Sequence, residues 1–236
     1  MHSRAWSFSL VLAALALTPT ARAQHDDALR GNYVVVKATL GFGGSSDLDS
    51  DSVSIPVINT SFNLADSSGW NEDLELSYGL SAQYMWDLHR YFALGGLFGV
   101  MSWRSDFDDD VDADRNVAFD LAVVPQGRLP LTEAIELYVS VPIGITLDLL
   151  NQFDRSGTLL GTPYKYEGDS AIGFTFSALV GARFAITRSF GLLAEFGYTY
   201  RTFSHEVTVS AGGMTVAKVS GDLSLGQIAL NVGAWF

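Results

Sequence analysis

Between Leu74 and Leu88 every even-numbered residue is apolar (Leu74, Leu76, Tyr78, Leu80, Ala82, Tyr84, Trp86, Leu88), and the odd-numbered ones are Glu75, Ser77, Gly79, Ser81, Gln83, Met85 and Asp87. A period of two puts alternate side chains on opposite faces of a strand, so this segment has one greasy face and one wet face. Its 15 residues far exceed the roughly five or six of an ordinary soluble strand. They suit a tilted crossing of a hydrocarbon layer about 30 Å thick. The pattern recurs. Leu137, Val139, Val141, Ile143, Ile145, Leu147 and Leu149 alternate with Tyr138, Ser140, Pro142, Gly144, Thr146 and Asp148. From Ile172 to Ile186 the even positions are again apolar, set against Gly173, Thr175, Ser177, Leu179, Gly181, Arg183 and Ala185. Three such strands would leave more contiguous apolar surface than a soluble monomer carries, and no remaining segment looks like a second sheet to cover it.

Read with the same ruler, the chain holds eight strands, at 32–43, 73–88, 91–104, 116–129, 135–150, 171–186, 190–203 and 222–236. The connections after the second, fourth and sixth are short, and those after the first, third, fifth and seventh are long. An even strand number with short turns on one rim and long loops on the other predicts an all-β fold. The expected architecture is an eight-stranded antiparallel up-and-down transmembrane β-barrel with short periplasmic turns and long extracellular loops. Arg4, the apolar stretch 5–17 and Ala21-Arg22-Ala23 read as a secretory signal over 1–23, leaving 24–236 as one barrel domain.

Composition narrows the function classes. There is no cysteine, hence no disulfide framework and no thiolate metal site. Without Arg4 and Arg22 the 14 basic residues become 12 against 26 acidic ones, a net charge of −14, which argues against a nucleic-acid partner. Acids gather in two long loops, at Asp47, Asp49 and Asp51 and at Asp106, Asp108, Asp109, Asp110, Asp112 and Asp114. The alternating aspartates resemble a calcium loop, but the loop glycine and the twelfth-position Glu are missing, so no metal site and no cofactor is expected. A solvated acidic surface could still bridge to lipopolysaccharide phosphates through divalent ions.

Given the facing of the apolar rows, Lys37, Glu75, Asp120, Arg128, Asp148, Arg183, Glu195 and Arg201 point into the lumen. Eight strands enclose so little space that side chains fill it, and buried charges there must pair. An ion-pair plug is therefore expected, with Lys37, Arg183 and Glu195 at similar heights. Leu97, Leu179, Leu193 and Met85 also face inward, a mixture that leaves room for a small hydrophobic ligand. Lipid-facing rings sort by height, with Trp86, Phe92, Phe184, Phe190 and Phe236 near the short turns and Phe42, Phe119, Phe174, Tyr198 and Tyr200 toward the long loops. Two aromatic belts are the anchoring pattern of a membrane barrel.

Pro142 falls in mid-strand and Pro125 in the neighbouring strand. Proline cannot donate a ladder hydrogen bond, so the pair marks a weakened seam between strands four and five, a candidate lateral opening or a local irregularity. Ser204, His205 and Glu206 look superficially like a hydrolytic set. Adjacent residues on a strand face opposite ways, however, so they form no relay, and no catalytic residue is expected.

The chain ends Gln227-Ile228-Ala229-Leu230-Asn231-Val232-Gly233-Ala234-Trp235-Phe236, with apolar residues at alternate positions counted back from a terminal Phe. This resembles the C-terminal signature of bacterial outer-membrane proteins. The whole segment after residue 30 is similar to the small OmpA/OmpX-like barrels, loosely including OmpW-like proteins. The resemblance implies recognition of Phe236 by the barrel assembly machinery and a surrounding of outer-membrane lipid and lipopolysaccharide. It carries no active-site motif. The expected role is structural or surface interaction in the cell envelope. Passage of small hydrophobic compounds through the lumen or a lateral opening is the alternative, and a lipid-modifying enzyme a more remote one.

Overall fold

The computed structural model describes residues 31–56, 60–63, 70–104, 115–150, 155–159 and 162–236. The expected signal at 1–23 and the acidic run 106–114 lie outside the described residues. Thirteen strands and no α-helix occur among those described: β1 (Tyr33–Ile55), β2 (Thr60–Asn63), β3 (Trp70–Leu74), β4 (Ser77–His89), β5 (Phe92–Trp103), β6 (Asn116–Pro130), β7 (Ile135–Ser140), β8 (Ile143–Leu149), β9 (Arg155–Leu159), β10 (Thr162–Gly168), β11 (Ala171–Thr187), β12 (Phe190–Ala211) and β13 (Met214–Trp235). Their antiparallel pairings run β1–β4–β5–β6, then β7 and β8 end to end as one stave, then β11–β12–β13. The ring closes where β13 pairs β1 from Val35↔Trp235 upward. Eight staves thus form an up-and-down barrel, with turns at 90–91, 131–134 and 188–189 on one rim.

Closure gives every stave a hydrogen-bonded neighbour on both sides within the ring, as a hydrocarbon layer demands. Alternation then assigns the faces. Leu80, Leu121, Ile145, Ile172, Val180 and Phe196 are exposed on the outside, whereas Met85, Ala93, Val124 and Leu193 are buried inside. A fold that exposes its large apolar residues and buries Lys37, Arg183 and Glu195 inverts the soluble pattern.

The expected eight segments are corrected in three places. The connection at 204–221, read as a long loop, is strand. β12 and β13 continue as a hairpin to a turn at Gly212 and Gly213, both with positive φ. β1 likewise runs on to Ile55, and β9–β10 forms a hairpin that pairs with β12 from Tyr164↔Ala211 to Gly168↔Val207. An open sheet in the order β9–β10–β12–β13–β1–β2 therefore rises from the long-loop rim.

Two staves are also interrupted. One breaks at residues 75–76, between β3 and β4, and the other at residues 141–142, between β7 and β8. At the first break the facing flips. Leu74, expected on the lipid side, is buried inside with Trp103 and Phe203. The cause lies next door in β1, whose register with β13 shifts between Phe42 and Ser45. Gly43 supplies the left-handed residue there, at φ 56°. A one-residue bulge exchanges the two faces of a strand beyond it. Gly41 below and Ser46 above are thus both buried.

Candidate functional site

The lumen is the site that the fold creates, and it is layered. Nearest the short turns, Arg128 Nη1 meets Asp87 Oδ1 at 3.0 Å, and Arg183 Nη2 meets Glu136 Oε1 at 3.1 Å. The Arg183 guanidinium also lies 4.2 Å from the Tyr33 ring centroid and 5.1 Å from that of Trp235. The Tyr33 hydroxyl accepts from Arg128 at 2.9 Å and donates to Gln126 Oε1 at 3.0 Å. Charge, cation–π contact and hydrogen bond together close this end.

One layer further in, Lys37 Nζ donates to Glu195 Oε2 at 2.9 Å and to Gln83 Oε1 at 3.0 Å. Glu195 also accepts from Asn231 at 2.9 Å and from the Tyr138 hydroxyl at 3.0 Å. Both charged side chains are almost wholly buried, so this saturation of the carboxylate makes the pair tolerable there. Beyond it lies a chamber of about 70 Å³ whose walls include Thr39, Ser81, Leu97, Pro142, Ser177 and Thr199. That is room for a few water molecules among hydroxyls.

The far wall of the chamber is a two-point pair, Arg201 Nη2 to Asp120 Oδ2 at 2.6 Å and Arg201 Nε to Asp120 Oδ1 at 3.2 Å. Above it the lumen turns apolar, with Leu74, Met101, Trp103, Phe203, Leu223 and Leu225 packed together. Within that cluster Asp148 accepts from the Trp103 indole N–H at 2.8 Å and from Thr146 at 3.0 Å.

Seven of the eight charges expected in the lumen line this column: Lys37, Asp120, Arg128, Asp148, Arg183, Glu195 and Arg201. Arg183 sits one layer below the Lys37–Glu195 pair rather than beside it. Glu75 is the exception. Past the Gly43 bulge it turns to the outer rim, where Arg104 Nε reaches it at 3.1 Å and Arg115 Nη1 at 3.3 Å. Arg115 also lies 4.9 Å from the ring of lipid-facing Tyr78. Asp87 and Glu136 complete the lowest layer; both stand on the wet face by alternation, so parity alone could have found them.

Pro125 and Pro142 sit in unbroken register, since Val123↔Ile143 and Gln126↔Ser140 belong to one alignment. Val141 N donates to Pro125 O at 3.1 Å, while Ser177 N donates to Pro142 O at 2.9 Å. The return bonds are those that proline cannot give. Pro125 removes a bond from the β6 side of the stave and Pro142 one from its β11 side, so the two do not share a seam. The flanks of one stave are each loosened beside the chamber.

Ser204, His205 and Glu206 diverge. Ser204 Oγ donates to Asp222 at 2.7 Å, Glu206 accepts from Lys218 at 2.6 Å, and His205 is buried on the opposite face. The Glu206 carboxylate holds the Lys218 ammonium above the usual lysine value. Among the described residues no group of His, Asp or Glu is arranged to hold a metal ion. Phe236 closes the ring, exchanging backbone bonds of 3.0 and 2.9 Å with Val34, and its ring lies 5.5 Å from that of Phe190.

A family model described as an outer membrane protein beta-barrel domain matches residues 9–236. Among solved structures, the outer membrane protein OprG from Pseudomonas aeruginosa is similar in fold, with a TM-score of 0.51 at 9% identity over 87% of this chain and 94% of OprG. The outer membrane protein AlkL aligns over 93% of this chain and 96% of its own at 16% identity and a TM-score of 0.46. The attachment invasion locus protein Ail of Yersinia pestis aligns over 88% and 100% at 14% identity and 0.41. No curated protein matches the chain.

Proposed function

The chain belongs to the outer membrane protein beta-barrel domain family and resides in the outer membrane, and from that premise we propose that it is a non-enzymatic envelope component acting through its structure and surface rather than as an open pore. The observation that carries this reading is the layered closure of the lumen. The Arg183–Glu136 and Lys37–Glu195 pairs, both nearly inaccessible, lie across the path in succession. An aqueous channel needs roughly sixteen strands. The test is single-channel recording of the refolded protein in planar bilayers. No discrete conductance is expected, and steady openings of the unmodified protein would overturn the reading.

A second reading is passage of small hydrophobic compounds. What favours it is the chamber beside Pro142, with an apolar cluster above its Arg201–Asp120 wall and flanked by a stave that lacks one bond on each side. Proteoliposome uptake of a fluorescent apolar probe tests it, with Pro125→Val/Pro142→Val as the comparison. Uptake that those substitutions reduce would favour this reading over the first. Release of 1–23 as a secretory signal, with 24–236 as the barrel domain, and capture of Phe236 by the barrel assembly machinery belong to the same proposal. Mass measurement of the exported chain and an assembly assay of Phe236→Ala test the two points.

A further inference from the structure

The outward side chains of the β12–β13 hairpin change character at a single height. The facing pairs Leu192/Ala234, Ala194/Val232, Phe196/Leu230, Tyr198/Ile228 and Tyr200/Gly226 are apolar or aromatic, and the next four, Thr202/Ser224, Ser204/Asp222, Glu206/Ser220 and Thr208/Lys218, are all polar. Leu192 to Tyr200 covers about 27 Å along the strand, or roughly 20 Å along the membrane normal at a usual tilt, close to the apolar band of such barrels. The Tyr200 hydroxyl lies 3.0 Å from Ser224 Oγ, which in turn donates to Thr202 at 3.3 Å. This run of hydroxyls marks the top of the hydrocarbon layer. The hairpin continues to Ala211, about 37 Å further along the strand.

Above the boundary the sheet keeps two unlike faces. Val207, Val209, Ala217, Val219 and Val53 share the inward side, in line with lumen-facing Phe203 and Leu223. The outward side is extended by Ser52 and Ser54 opposite Ser220 and Lys218, and by Ser61 opposite Ser54. Its bases are matched locally, Lys218 with Glu206 and Lys165 with Glu167, and its further acids stand among hydroxyls, Asp222 accepting from Ser204 and Asp47 lying opposite Ser224. A face built to bind phosphate would offer clustered Arg or Lys. This one offers hydroxyls, which both donate and accept, just outside the lipid belt.

We infer that the outward face of the projecting β12–β13–β1 sheet packs against the oligosaccharide of the surrounding lipopolysaccharide, with Ser204, Thr208 and Ser220 among its hydrogen-bonding groups. The inference deepens the surface role proposed above and rests on it, but not on closure of the lumen. The conductance measurement and the test below therefore fail separately.

The test compares the full chain folded into vesicles of lipopolysaccharide with a complete core oligosaccharide and into vesicles of heptose-deficient lipopolysaccharide. Backbone amide exchange is read over 204–210 and 217–222. Severalfold slower exchange is expected in the complete-core vesicles. Thr208→Val/Ser220→Val, which keeps β-propensity, should exchange at one rate in both and match the unmodified protein's unfolding midpoint in the heptose-deficient vesicles. Equal exchange of the unmodified protein in both vesicle types would overturn the inference by placing the contact at the phosphates or nowhere. So would slowing that survives the double substitution, or slowing that a chelator abolishes, since the latter would mean a divalent bridge to carboxylates.

Discussion

Lys37 on β1 and Glu195 on β12 meet at 2.9 Å inside the barrel, although the β13 stave separates their strands. Removing one partner leaves the other charge buried alone, which costs about 3–5 kcal/mol, whereas removing both leaves only shape to repair. Lys37→Met and Glu195→Gln should each lower unfolding stability strongly, and the double variant should lose less than their sum by about 1 kcal/mol or more. Equilibrium unfolding in urea with lipid vesicles measures the cycle. Additive losses would mean that the two charges do not depend on each other.

Facing is testable by depth. Leu80 and Ile143 are exposed on the outside, so arginine at either should cost about 2–4 kcal/mol near the bilayer midplane. Ser81→Gln, against the chamber wall, should cost clearly less. Comparable damage at all three positions in vesicle-unfolding experiments would contradict the assigned faces.

The displaced Glu75 separates rim from lumen. Its two arginine contacts are partly exposed, with the Glu75 side chain 34% accessible, and pairs of that kind contribute about 0–1 kcal/mol. Glu75→Gln should shift the midpoint only slightly. Asp120→Asn strips the buried Arg201 of its carboxylate and should cost several times more. A large loss at Glu75 in the same assay would return it to the lumen.

At Gly43 the difficulty is backbone, not space, because a Cβ would meet only Ile228 Cδ1, at 4.0 Å. Gly43→Val should destabilise by about 1–2 kcal/mol, while Gly43→Asn, which tolerates the left-handed region, should lose much less. Equal losses in vesicle unfolding would show that the bulge does not depend on φ at this residue.

Pro125→Val and Pro142→Val should act on different neighbours. Valine at 125 restores a donor toward Val141, and valine at 142 restores one toward Ser177. Residue-resolved amide exchange in nanodiscs should slow on the β6 flank in the first variant and on the β11 flank in the second. Slowing of the same flank in both would restore the shared seam that the sequence suggests.

The barrel was legible in the sequence because facing in a strand is a local property: each residue's side follows from its neighbour's. The inward facing of Lys37, Asp120 and Glu195 can therefore be read without knowledge of their partners. Glu75 was not, because its facing depends on a bulge in another strand, whose signal is the Gly43-Gly44 pair. The projecting hairpin was missed for a different reason. Above Tyr200 the alternation persists, but its polarity is reversed, with valines inward and hydroxyls outward, so a search for apolar outward rows ends there. Partnerships across the lumen, such as Trp103 with Asp148, depend on the tilt of the staves, which periodicity does not encode.

β13 is the partner of both β1 and β12 over nearly its whole length, up to Ser54↔Lys218 on one side and Ala211↔Met214 on the other. Until it docks, two strands of more than twenty residues have no neighbour on one side, and their exposed amides cannot enter hydrocarbon. Insertion and closure are thereby coupled into one event: a chain whose β13 has not docked is not a smaller barrel but a sticky ribbon that waits for its keystone.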